Sequence, residues 1–159
     1  MQKEVPLKND VEKAVEEYAD MIFRVCIVIL KNEADAQDAV QETFLKYIQK
    51  APRFESGQHE KAWLIKVATN YSRNVLKRKN RYSDTDLERI TENAFSEEAS
   101  SVLDALRSLP EKYSIVVALH YIDGYKVNEI AEMIGKTPSA VKMRLHKGRK
   151  LLEKVYREE

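Results

Sequence analysis

Apolar residues recur every three or four positions through most of the chain. Val11, Val15, Tyr18, Ile22, Val25 and Ile29 step in this way and predict one amphipathic helix over about residues 10–31. A second helix opens at Asp35 or a neighbour, with Ala36, Ala39, Val40, Phe44, Tyr47 and Ile48 on one stripe, and Pro52 stops it. After a polar loop over 54–60, a third helix over about residues 60–79 carries Ala62, Ile65, Ala68 or Thr69, Ser72 and Leu76 inward. From about Asn80 to Glu98 the pattern fades into an acidic, Ser/Thr-rich stretch whose few apolar residues are Leu87, Ile90 and Phe95.

Four more helices follow. Val102, Ala105, Leu106 and Leu109 mark the first, closed by Pro110. Ile115, Ala118, Leu119 and Ile122 mark the second, ended by Gly124. Val127, Ile130, Ala131 and Ile134 mark the third, before Gly135. Thr137 is a good N-cap and Pro138 a good first helical residue for the fourth, which carries Val141, Leu145, Gly148, Leu152 and Val155 to about Tyr156. No strand-like alternation with hairpin turn chemistry occurs. The expected fold is all-α: two small helical domains, residues 8–80 and 99–157, joined by a flexible acidic linker over 81–98. Seventeen extended residues, 82–98, reach about 56–61 Å. One turn of duplex is about 34 Å, so modules so joined can reach DNA sites more than a turn apart.

Composition narrows the class. With 159 residues, 43% of them hydrophobic and 33% charged, and only four Gly and four Pro, collagen-like and wholly disordered chains are excluded. The longest apolar run, Val25 to Leu30, has six residues, against about 18 for a membrane span. The first residues are polar and charged, so no signal peptide is expected. The single cysteine, Cys26, cannot form an internal disulfide and reads as a small buried hydrophobe. These features predict an intracellular protein.

The net charge of +1 conceals segregation. Residues 1–60 hold 8 basic and 12 acidic side chains, whereas residues 61–83 hold 7 basic ones and no acid. Residues 84–111 reverse to 2 against 8, and residues 126–159 return to 9 against 5. Within that last block Lys136 to Lys150 carries six cations and no acid. Two basic stretches of helical length, apart in sequence, form an electrostatic footprint for a phosphate backbone. Each alone is equally consistent with a solvated helix face.

The strongest local motif is a helix-turn-helix in KVNEIAEMIGKTPSAVKMRLHKGRK. Ala131 is small where the helices cross, Gly135 suits a turn of positive φ, and Val141 packs back on the first helix. The far face of the second helix then carries Ser139, Lys142, Met143, His146, Lys147 and Arg149 toward a major groove. An ordinary helical hairpin is the bland alternative; turn chemistry, the small residue and the basic face together favour DNA reading. The third helix mixes Trp63, Asn70, Tyr71, Arg73, Asn74, Lys77 and Arg78, a blend suited to unstacked bases. Trp63 alone reads more simply as a packing anchor, and the loop at 54–60 as an ordinary polar loop.

The run NEADAQDAVQETFLKYIQ, followed by AWLIKVATNYSRNVLKRKNR and by LPEKYSIVVALHYIDGYKVNEIAEMIGKTPSAVKMRLHKGRKLLEK, resembles the extracytoplasmic-function (ECF) sigma factors of bacteria. The resemblance implies a promoter-melting module, a linker and an upstream-element reader. It implies that Asp38, Gln41, Glu42 and Phe44 grip the clamp helices of the largest subunit of core RNA polymerase, whose flap is a further contact. It assigns Trp63, Lys66, Asn70, Arg73, Asn74 and Lys77 to the −10 element, and Ser139, Lys142, Met143, His146, Lys147 and Arg149 to the −35 element. It implies an anti-sigma partner, no membrane insertion, and a cytoplasmic protein that joins the nucleoid in holoenzyme. The linker would run through the polymerase cleft toward the RNA exit path. Lys136 stands where the family usually has an apolar residue, Pro138 is unusual at its position, and Gly148 replaces the common Ala at about 1 kcal/mol of helix propensity.

An enzyme is disfavoured. His59, His120 and His146 are scattered, and no HExxH, P-loop or Cys/His metal spacing occurs, so no catalytic residue, metal or cofactor is expected. The main rival is a stand-alone helix-turn-helix regulator, which leaves the acidic first two helices unexplained. A helical adaptor for protein partners alone is a third possibility, separable by the salt dependence of DNA binding.

Overall fold

The structure, a computed structural model, describes residues 8–82 and 100–157, and all regular elements among them are helical. In the first module, α1 (Lys8–Leu30), α2 (Glu33–Lys50) and α3 (Gly57–Tyr82) pack pairwise into a three-helix bundle. The start of α2 is fixed by Asn32, whose Oδ1 accepts from the Asp35 N–H at 2.9 Å. Ser56 caps α3 through its Oγ, which accepts from the His59 N–H at 3.1 Å. The loop expected over 54–60 is therefore shorter, with residues 57–60 already helical. Helix α3 also continues through residues 81 and 82, which the sequence pattern gives to the linker. The rest of the expected linker, including Leu87, Ile90 and Phe95, lies outside the described residues.

The second module contains α4 (Ser100–Arg107), α5 (Glu111–Val117), a π-helical turn (Ala118–Ile122), α6 (Val127–Ile134) and α7 (Pro138–Arg157). The sequence pattern predicts one helix over about 111–122, but its last turn is widened, and the Asp123 N–H reaches back to the Ala118 carbonyl at 3.1 Å. Gly148 explains itself here. A Cβ on it would sit 2.7 Å from Val117 Cγ2 and 3.5 Å from Tyr113 Cβ, so α5 and α7 approach where only hydrogen fits.

Four residues on the sequence-predicted apolar stripes are exposed: Val15 (38%), Ile48 (39%), Val102 (49%) and Ile122 (41%). Val15 and Ile48 lie at the edges of their stripes, and Val102 and Ile122 lie near helix ends. The run Val25–Leu30 shows the opposite behaviour, with every residue buried. One side of this stretch belongs to the first module, while α4, α5 and the π turn contact α1 from the second. A helix covered on both sides loses its polar face. Cys26 lies inside this stretch, and burial pushes its thiol pKa up to about 11, so it remains a neutral packing group.

The modules are thus docked on one another, chiefly by α6 against α3 and by α4 and α5 against α1. Arg24 Nε donates to Asp123 Oδ1 at 3.0 Å, with the Asp123 side chain only 5% exposed. The Arg107 guanidinium donates to the Lys31 carbonyl, which is presented by a residue in the left-handed region (φ 62°). Gln58 Nε2 donates to the Glu129 carbonyl at 2.8 Å, and the Lys61 ammonium sits 4.6 Å from the centre of the Tyr125 ring.

Candidate nucleic-acid and polymerase interface

Three surfaces collect the candidate residues. On α2, Asp38 and Gln41 are exposed and Glu42 half-buried. Phe44, which the apolar stripe places inward, is the buried member of the set. It is 7% exposed and its ring lies 6.4 Å from that of Tyr47, so it anchors α2 and offers no ring to a partner. The apolar groups that α2 does present are Leu45 (46%) and Ile48 (39%), which continue the row Asp38, Gln41, Leu45, Ile48 in successive steps of three and four residues. Reading apolar periodicity as core placed Ile48 inside and gave Leu45 no role. The signal that could have found them is their spacing from the polar candidates.

On α3, Trp63, Lys66, Asn70 and Arg73 share a stripe that lines a cleft of about 640 Å³ between the modules. Asn74 and Lys77 are exposed on the same side of the helix, outside that cleft. Trp63 is half-buried in an aromatic cluster, 5.7 Å from Phe54 and 6.1 Å from Tyr47 between ring centres. His59 packs edge-on against Phe54 at 5.2 Å. The Tyr47 hydroxyl donates to Glu60 Oε2 at 2.7 Å, and burial first, then this carboxylate, holds the phenol above its usual pKa. Trp63 is therefore both anchor and cleft wall. Arg73 is engaged across the cleft, its Nε donating to Glu111 Oε1 at 2.7 Å.

On the second module the helix-turn-helix closes as its residues require. Gly135 takes the left-handed conformation (φ 69°), and the Lys136 N–H bonds the Ala131 carbonyl at 2.9 Å. Thr137 Oγ1 accepts from the Ala140 N–H at 3.1 Å, capping α7. Val141 is fully buried against the rest of the module. Ser139, Lys142, Met143, His146, Lys147 and Arg149 are all exposed, Met143 at 73%. At about 100° per residue, all but Lys147 fall within about 60° of His146. Lys147 stands about 100° away, and its ammonium lies 5.6 Å from the centre of the Tyr113 ring. Lys150 is exposed within the same sector, a cation that the sequence reading leaves out. Arg149 also borders an exposed hollow with Tyr121, Leu152 and Tyr156. His120 is half-buried with Nδ1 at 2.8 Å from the Tyr125 carbonyl oxygen.

Among the described residues no group of His, Cys, Asp or Glu is placed to hold a metal ion, and no helix is long and apolar enough to cross a membrane.

Comparison with known proteins finds the same two-part organisation. The sigma-70 region 2 family model matches residues 14–82, and the sigma-70 region 4 model matches residues 99–152. The ECF RNA polymerase sigma factor SigW of Bacillus subtilis is 27% identical, with 91% of this chain and 87% of the relative covered. The RNA polymerase sigma factor SigV of the same organism is 25% identical, with 96% and 94% covered. In fold, the chain resembles the sigma factor RpoE of Bartonella quintana, solved with the anti-sigma factor NepR. That match has a TM-score of 0.75 at 20% identity over 94% of this chain and 98% of the other. CnrH, solved with the cytosolic domain of CnrY, gives a TM-score of 0.68 at 20% identity, covering 96% and 91%. The chain belongs to the sigma-70 family of RNA polymerase sigma factors, in its ECF group. Its function is that of a sigma factor in transcription initiation, and a stand-alone helix-turn-helix regulator is not favoured.

Proposed function

We propose that this chain binds core RNA polymerase through the exposed face of α2, opens the −10 element with α3, and reads the −35 element with α7. Asp38, Gln41 and Glu42 supply the polar part of the α2 contact, and Leu45 and Ile48 the apolar part. On α3, Lys66, Arg73 and Lys77 hold the backbone while Trp63 and Asn70 stand at the separated strand. On α7, Lys142, His146 and Arg149 reach base edges or phosphates, and Met143 offers an apolar contact to a thymine methyl. The domain limits that fit this division are residues 8–82 and 99–157, with the acidic stretch between them as linker. The hollow beside Tyr121, Leu152 and Tyr156 suits the polymerase flap.

The observation that carries this reading is the pair of basic helices, α3 and α7, each on a separate module that matches its own sigma-70 region. The RpoE and CnrH structures contain bound NepR and CnrY, which supports an anti-sigma partner for this chain also. The protein acts as a non-enzymatic initiation factor in the cytoplasm, on the nucleoid when in holoenzyme. The test is run-off transcription with core enzyme on a matched promoter. A discrete transcript that requires this chain is expected. No transcript, together with tight unaided binding to a palindrome, would overturn the proposal.

A further inference from the structure

The second module's wall of the cleft carries charge that promoter reading does not absorb. Lys112, Lys136 and Arg144 on that wall face Lys66 and Arg73 of α3, with Arg73 paired to Glu111, and the one acid among the lining residues is Glu132. Arg144 stands about 160° round α7 from His146, pointing away from the reading face. Lys136 precedes α7, and Lys112 lies on α5. Docking thus brings cations of both modules to face each other around a hollow of about 640 Å³. Like charges gathered in a partly enclosed space repel, and a multivalent anion between them turns that repulsion into bridging. The volume falls in the range of small-molecule sites, roughly 300–1,000 Å³, and is far too small for duplex DNA. Asn70 and Thr69 add uncharged hydrogen-bonding groups to the same wall.

We infer that this cleft is a binding site for a compact polyphosphate, the chemistry shared by inorganic polyphosphates and nucleotide phosphate tails, and that its occupancy holds the modules together. Phosphates at the two ends of such a molecule would draw cations from opposite walls, and the docked form alone supplies both walls. Ligand that binds only the docked form favours it by mass action. The site itself is independent of the promoter reading; its consequence, opposition to promoter engagement by α3, rests on that reading.

The test uses the full chain titrated with sodium tripolyphosphate at constant ionic strength, read by calorimetry and thermal melting. Saturable binding with a rise in Tm is expected, and nucleoside triphosphate should compete if the phosphate tail is what is recognised. The double variant K136A/R144A should weaken binding by about tenfold or more, two charge-assisted contacts being lost. Lys66→Ala on the opposite wall is the second variant and should also weaken it. A Tm shift matched by sodium chloride, or unchanged affinity in both variants, overturns the inference. So does a short single-stranded oligonucleotide that binds through these residues where tripolyphosphate does not. Run-off transcription is scored separately, so a failed promoter assay leaves the titration intact, and the reverse.

Discussion

Helices α3 and α7 are both long, both basic and both candidates for nucleic acid, yet they are presented differently. The reading face of α7 stands in solvent, with Met143 at 73% exposure. The corresponding stripe of α3 faces the second module across a narrow cleft. In this docked arrangement the proposed upstream reader is available to duplex while the proposed melting helix is turned inward. Charge along a helix therefore gives its preference for phosphate, and only the packing gives its availability. Two elements more than a helical turn apart on a promoter also require the modules to separate, since here they touch.

The largest effect expected from breaking this contrast is that of Trp63→Ala. Removing the indole from its contacts with Tyr47 and Phe54 should cost about 3 kcal/mol of first-module stability by denaturant melting, while Trp63→Phe should retain most of it. Equal losses in the two variants would show that ring size matters less than the indole edge. Next, Lys142→Ala should weaken binding of a −35 duplex by about 2 kcal/mol, whereas Lys66→Ala should leave free-protein duplex binding almost unchanged. A comparable loss in Lys66→Ala, measured by fluorescence anisotropy, would mean that α3 is already uncovered in solution.

Arg24→Ala removes the partner of a largely buried carboxylate and should destabilise the docked form by about 1.5 kcal/mol. A larger radius of gyration by small-angle scattering should accompany it, with −35 binding intact. Unchanged dimensions would locate the docking strength elsewhere, in α3 against α6. The smallest effect is that of Gly148→Ala. Helix propensity favours alanine by about 1 kcal/mol, yet crowding against the stiff Val117 side chain should turn the substitution into a net loss of about 1 kcal/mol in thermal unfolding. A gain would mean that α5 and α7 separate easily.

Much of the fold was legible in the sequence because amphipathic spacing and turn chemistry are local. Thr137, Pro138 and Gly135 place the start of α7 and the turn before it to the residue. What periodicity misreads are positions whose burial depends on a distant partner. Ile48 and Ile122 carry the apolar signature of a core yet stand exposed, one on the proposed polymerase face and one beside Tyr121. Gly148 reads in sequence as a loss of helix propensity, whereas it is the point of closest approach between two helices. Among the candidate site residues, the apolar stripe places Phe44 inward, as its 7% exposure has it, whereas motif resemblance gives position along the helix but not direction. Docking of the modules left one trace in the sequence, the unbroken run Val25–Leu30, whose two-sided burial a single-bundle reading does not require.

The π-helical turn at Ala118–Ile122 makes that docking depend on backbone register. It inserts its extra residue immediately before Asp123, the acid that meets Arg24. Tightening that turn to regular α-helical bonding with every residue kept would swing the aspartate by about 100°, parting the two halves without altering a single group on the exposed face of α7. The hydrogen-bond register of one hidden stretch of main chain is therefore a mechanical setting for how firmly the two halves hold together.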